Sequence, residues 1–253
     1  MKWIGVCMLV ADVFDFTTLL FQLDYNKNKK SIYGLSYDYY FLSWLSYFSS
    51  IVINSVYFSS HLINAEYAAR FPIYPYILLS MPLVFIDLLK FITSTGILVQ
   101  LFILYKNTRN VKQGVSPICK LTLLCIGILG IVIFYLYSRN WHSIKLLDFV
   151  DFVWLSGVTL NTFKFLPQLW VNWFGMCVTG ICPEFTITQI GYNICLLLGN
   201  SGLLVIGLRF FEIPVNYKGW YNYIIHSVAL SFLVMQQEIF YKGLKPSLKI
   251  KIK

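Results

Sequence analysis

The sequence predicts an all-α membrane protein of seven transmembrane helices, laid out as two parallel three-helix repeats joined by a linker helix (3+1+3). Three observations predict it. The 253 residues are 58% hydrophobic with a mean hydropathy of +0.67, and only 12% are charged, where a soluble domain carries about 25%. Apolar runs long enough to cross a bilayer fall at roughly 3–23, 35–58, 77–105, 119–138, 147–172, 184–208 and 219–241. A shift of 146 residues aligns "LFQLDYN" at Leu20 with "LPQLWVN" at Leu166, and the match recurs at Gly34/Gly180, Asp38/Glu184 and Asn54/Asn200.

The elements follow in order. The first run, "MKWIGVCMLVADVFDF", resembles a signal peptide, but Asp12 and Asp15 interrupt it and no small-residue cleavage site follows, so it reads as a first membrane helix. The connectors are "DYNKNKKSIYG", "EYAARFPIYP", "YKNTRNVKQGVSP", "SRNWHS", "GMCVTGICP" and "EIPVNYKG", which carry the polar and turn residues. Residues 1–105 form the first repeat, 106–146 hold linker helix 4, 147–241 form the second repeat, and 242–253 are a basic tail. An odd linker lets both repeats insert the same way up, a transporter plan with the substrate near the midplane.

Charge sets the orientation. Twelve lysines and arginines fall on the side of the 27–30, 106–120 and 242–253 segments and six on the other, which puts the C-terminus in the cytosol and the N-terminus in the lumen or outside. The net charge of +9 then concerns lipid contact and orientation, since no interleaved basic and aromatic groove suits a nucleic acid. The six cysteines have no C-x-x-C spacing and the three histidines stand far apart, so no metal or cofactor is expected. No Gly-rich phosphate loop, G-x-S-x-G or H-E-x-x-H occurs, and no nucleophile, base and orienting group converge, so an enzyme is not expected.

The stretch "KFLPQLWVNWF" at Lys164 places a lysine, a proline and a glutamine inside an apolar run. Proline there removes a backbone hydrogen bond and kinks the helix, and the neighbouring glutamine amide is expected to partner the freed carbonyl. Lys164 has no carboxylate three or four residues away; it either faces a cavity or snorkels. Asp87 and Lys90 lie one turn apart and suit an ion pair. Asp148, Asp151 and Glu184 suit helix starts.

These residues give the chain its likeness to a known family. "FQLDYNKNKKSIYGLSYDYYFL" and "KFLPQLWVNWFGMCVTGIC" resemble the paired motifs of the PQ-loop family, most closely its cystinosin-like lysosomal and vacuolar branch. Gln22, Asn26, Lys29, Lys30, Ser31, Gly34, Leu35, Ser36 and Asp38 sit in register in the first motif, with Phe21 in place of the proline. Lys164, Pro167, Gln168, Asn172 and Gly180 sit in register in the second, with Met176 and Cys177 at the basic-serine step. The resemblance implies a small-solute transporter of an endomembrane, exporting cystine or a cationic amino acid with protons. It implies Lys164 as a substrate-binding residue, with Asn161, one turn earlier on the same face, and the repeat-matched Asn54 and Asn200 as further candidates; Pro167, Gln168 and Gln22 are implied as hinge. It also implies a proton-taking aspartate where this chain has Gln189, which cannot titrate; Asp38 and Glu184 are then the proton-coupling candidates. The PQ turn is either that hinge or a static kink. A receptor of the KDEL-receptor kind and an accessory protein of lipid or glycan metabolism remain open on the same architecture.

The tail "YKGLKPSLKIKIK" divides the address. Tyr241 to Leu244 resembles a tyrosine-based endolysosomal signal, and Lys249 with Lys251 a retrieval signal for the endoplasmic reticulum. The family resemblance favours a vacuolar or lysosomal membrane.

Overall fold

The computed structural model describes residues 2–72, 81–109, 113–141, 144–205 and 220–244. Among them are nine α-helices: α1 (Lys2–Lys29), α2 (Tyr37–Ser59), α3 (His61–Arg70), α4 (Met81–Val99), α5 (Pro117–Ser138), α6 (Leu146–Phe163), α7 (Phe165–Gly175), α8 (Phe185–Val205) and α9 (Trp220–Met235). There is no strand among the described residues. Wide π turns, Gln100–Leu104 and Gln236–Phe240, extend α4 and α9. Six stretches are long and apolar enough to cross a membrane: Trp3–Lys29, Tyr37–Ser59, Met81–Leu104, Pro117–Ser138, Leu146–Gly175 and Tyr223–Phe240. Phe185–Gly199 in α8 is a shorter apolar stretch. The all-helical membrane class is as the composition predicts.

Local chemistry starts and stops the helices. Ser36, Ser60 and Ser116 cap α2, α3 and α5, each hydroxyl accepting the N–H of the residue three positions on. Pro117 opens α5, where its missing N–H costs nothing. Met176 ends α7 in the left-handed region at φ 46°.

Two features differ from the sequence reading. Residues 61–70, read as part of a connector, form α3, because Ser60 caps a segment rich in alanine, the strongest helix former. The span expected at 147–172 is two helices parted at Lys164. Pro167 has no N–H to close the turn back to Phe163. Helix α5 is apolar along most of its length yet mostly uncovered by protein, as a lipid-facing helix is.

α1 packs against α8 and α4, α2 against α6 and α4, and α8 against α9. The 30–36, 105–109, 113–116 and 176–184 segments meet at one end of the bundle, the loop face. Gln113 Nε2 donates there to the carbonyls of Ile32 and Leu35, and Ile32 N–H to Thr108. The start of α1 lies beside the end of α8 at the opposite end, where a Cβ on Gly199 would sit 3.1 Å from Cys7. α3 is pinned to the start of α6: Glu66 accepts Leu147 N–H at 3.0 Å, and Arg70 pairs with Asp148 at 2.7 Å and Asp151 at 3.4 Å.

Candidate functional site: a charged cavity above a sealed face

The loop face is closed by two reciprocal side-chain clamps. Gln22, on the last turns of α1, donates to Gly180 O at 3.0 Å and accepts Cys182 N–H at 2.9 Å. Gln168, on α7, donates to Gly34 O at 2.9 Å and accepts Ser36 N–H at 2.8 Å. Each glutamine also donates to the asparagine one turn on: Gln22 to Asn26 at 2.8 Å, Gln168 to Asn172 at 2.9 Å. Each asparagine then donates to the glutamine that opens a π turn, Asn26 to Gln100 at 2.9 Å and Asn172 to Gln236 at 3.1 Å. Gln100 and Gln236 return to the backbone, at Leu23 O and Leu169 O. All six amide side chains are buried, so each bond is protected from competing water.

Between the clamps the backbones of Gly34 and Gly180 touch. A Cβ on Gly180 would lie 2.5 Å from Gly34 O and 2.6 Å from Leu35 N. Gly34 itself sits at φ +82°, where only glycine is unstrained. Cys182 beside them is 1% exposed, and burial pushes its thiol up to about 12, with Glu184 adding to the rise. It is a silent thiol while this face stays shut.

A cavity of about 220 Å³ lies on the other side of these clamps, toward the start of α1. Asp12 and Asp15 of α1, Tyr47 and Asn54 of α2, and Asp87 and Lys90 of α4 line it, with Asn161 of α6 and Tyr192 of α8 facing them. Lys90 Nζ bridges Asp12 at 2.6 Å and Asp87 at 2.7 Å, 5.1 Å from the ring centre of Tyr47. Asp87 accepts Ser50 at 2.6 Å and Asn54 at 3.1 Å on its other oxygen. One turn deeper, Asp15 accepts Tyr47 OH at 2.7 Å and Gln189 Nε2 at 3.0 Å. Lys164 Nζ stands 3.5 Å from Asp15, fully buried and 5.6–5.9 Å from the ring centres of Tyr39, Tyr47, Phe165 and Tyr192. An ammonium in such a box gains from the ring quadrupoles. Asp12 keeps 22% of its side chain exposed against 2% for Asp15, so access is from the α1 start.

The structure brings together some of the residues the sequence singled out and separates others. Asn161 and Asn54 line the cavity, and Lys164 is buried behind its wall, against Asp15. The side chain of Asn200 lies outside the described residues, as do Lys249 and Lys251 of the tail. Lys164 is not the unpaired cation its own helix suggests, because Asp15 reaches it from α1. Asp38 does not face the cavity: it is buried at the loop-face end of α2, accepting Ser116 N–H at 2.9 Å at the start of α5. Glu184 is exposed beside that same face. Both carboxylates are therefore out of reach of the cavity. Gln168 does not partner the carbonyl freed by Pro167; its amide is spent on Gly34, Ser36 and Asn172. Asp87 and Lys90 do pair, and Asp148 caps α6 through Lys145 N–H at 2.8 Å. Asp12 and Asp15, which the sequence shows as carboxylates one turn apart inside the first apolar span, line the cavity, and Tyr47, which no sequence pattern singles out, joins them.

The fold and the cavity define a helical membrane protein with a charged internal chamber. No family model matches the chain. The chain is 27% identical over 252 residues to the uncharacterized protein YCL002C of Saccharomyces cerevisiae, a similarity that covers 94% of this chain and 95% of that one.

Proposed function

We propose that the chain is a small-solute transporter of an endomembrane, moving cystine or a cationic amino acid together with protons, with its C-terminus in the cytosol and its site of action a vacuolar or lysosomal membrane. Its architecture is two parallel repeats, α1–α2–α4 and α6/α7–α8–α9, joined by α5 and related about an axis along the membrane normal. Support for the repeats comes from the matched clamps, Gln22–Asn26–Gln100 and Gln168–Asn172–Gln236, which make the same bonds in the same order.

The observation that carries the reading is a charged cavity lined by both sets of helices, with the side-chain clamps and the Gly34–Gly180 contact across its closed end. Charges within a membrane protein are costly and mark solute or ion paths. A seal of hydrogen bonds and glycine contacts is one that can part, as alternating access requires. Protons are carried by carboxylates of the cavity, with Asp12 foremost, because it has only the lysine it shares with Asp87 and is open to the cavity, whereas Gln189, Tyr47 and Lys164 hold the Asp15 carboxylate. Pro167 and the break at Lys164 supply the flexible point between α6 and α7.

Uptake into liposomes reconstituted with the full chain tests this. Radiolabelled cystine, lysine or arginine should enter under an imposed pH gradient, and Asp12→Asn should flatten the pH dependence while Asp38→Asn leaves it. Failure of every solute to move under any gradient would favour a receptor or accessory role instead.

A further inference from the structure

The ion pairs of the cavity do not balance. Asp12, Asp15 and Asp87 face Lys90 and Lys164; counted in ionised form, the described groups of the cavity leave one negative charge over. The surplus lies at Asp12. Asp15 is held by Lys164, Tyr47 and Gln189, and Asp87 by Lys90, Ser50 and Asn54. Asp12 has only the lysine it shares with Asp87, and it is the carboxylate open to the cavity. A half-paired carboxylate in a site poor in water favours a cation.

One further atom points to the rest of the ligand. Asn161 Oδ1, on the cavity wall, is buried without a donor. Buried polar atoms ordinarily have partners.

We propose that the cavity binds a small amine of net charge +1, its ammonium on Asp12 and a neutral hydroxyl or amide N–H donating to Asn161 Oδ1, with Lys90 remaining on Asp87. The volume of about 220 Å³, on the order of seven waters, takes an amino alcohol or an amino amide with room to spare. Tyr47 holds the geometry by donating to Asp15 and placing its ring against Lys90. The inference rests on the cavity being a solute site and narrows that solute by charge: it favours a cationic amino acid over cystine, because a net-neutral zwitterion leaves the surplus negative charge uncancelled.

Titration of the purified full chain in lipid nanodiscs with glycinamide, 2-aminoethanol, ethylammonium and glycine decides it. Glycinamide and 2-aminoethanol should bind about tenfold or more tighter than glycine, and more tightly than ethylammonium, which lacks the second donor group. Asp12→Asn should lose about tenfold or more of the glycinamide affinity. Asn161→Leu should lose affinity by filling the site while the chain stays folded by its thermal midpoint. Glycine binding as tightly as glycinamide, no binding by any amine, or full affinity in Asp12→Asn overturns the proposal. Amine binding without liposome uptake of any solute would leave this site standing and remove transport; uptake that is indifferent to these amines would do the reverse.

Discussion

Asp15→Ala should be among the most damaging single substitutions in the helical core. It removes the acceptor of Tyr47 and Gln189 and leaves Lys164 fully buried without its counter-ion. Breaking a buried pair by deleting one partner costs about 3–5 kcal/mol, because an uncompensated charge stays behind. Deleting both charges costs far less, so Asp15→Ala with Lys164→Met should recover part of the loss, with the Tyr47 and Gln189 bonds still missing. Denaturant or thermal unfolding of the two variants in detergent measures the difference. Equal stability of Asp15→Ala and the wild-type chain would mean that Lys164 is neutral or turned elsewhere.

Gly180→Ala should open the loop face. The added Cβ has no room against Gly34 and Leu35, and the obstacle is backbone rather than the end of a flexible side chain. The two loops must part, and the four cross-bonds of Gln22 and Gln168 go with them. At about 1 kcal/mol for each bond, the sealed state should lose about 2–4 kcal/mol relative to the open one. The same change at Gly114, where a Cβ meets nothing within 4 Å, should do little. A trapped equilibrium of this kind should show as solute binding retained with exchange lost. Unchanged exchange in Gly180→Ala would mean that the glycine contact is not part of the gate.

The parts of the site that the sequence made legible are those written as local pattern. Gln22 and Gln168, Asn26 and Asn172, and Gly34 and Gly180 keep one spacing, so a single shift of 146 residues finds them. The third helices escaped that shift, because Gln100 and Gln236 are 136 residues apart and the intervening loops differ in length. The Lys164–Asp15 pair could not be read at all, since its partners share neither a helix nor a motif and only packing of α1 on α8 beside α7 brings them together. Asp38 and Glu184 were placed in the chemistry by their repeat position. That position fixed their depth, and the depth is that of the loop face, not of the cavity. α3 was hidden by its shortness, ten residues in a connector with one capping serine.

Cys182 offers the most direct test of the claim that the cavity and the loop face open in turn. In a chain whose other five cysteines are replaced by serine, Cys182 is buried under Gln22 and carries a thiol raised to about 12, so a membrane-impermeant maleimide should react with it very slowly in the resting protein. A solute that the chain transports should accelerate that reaction tenfold or more, and Gly180→Ala should make it fast without solute. Labelling that is slow under every condition, with solute moving freely across the same vesicles, would contradict a gate at Gly34 and Gly180 and with it the alternation of the two faces.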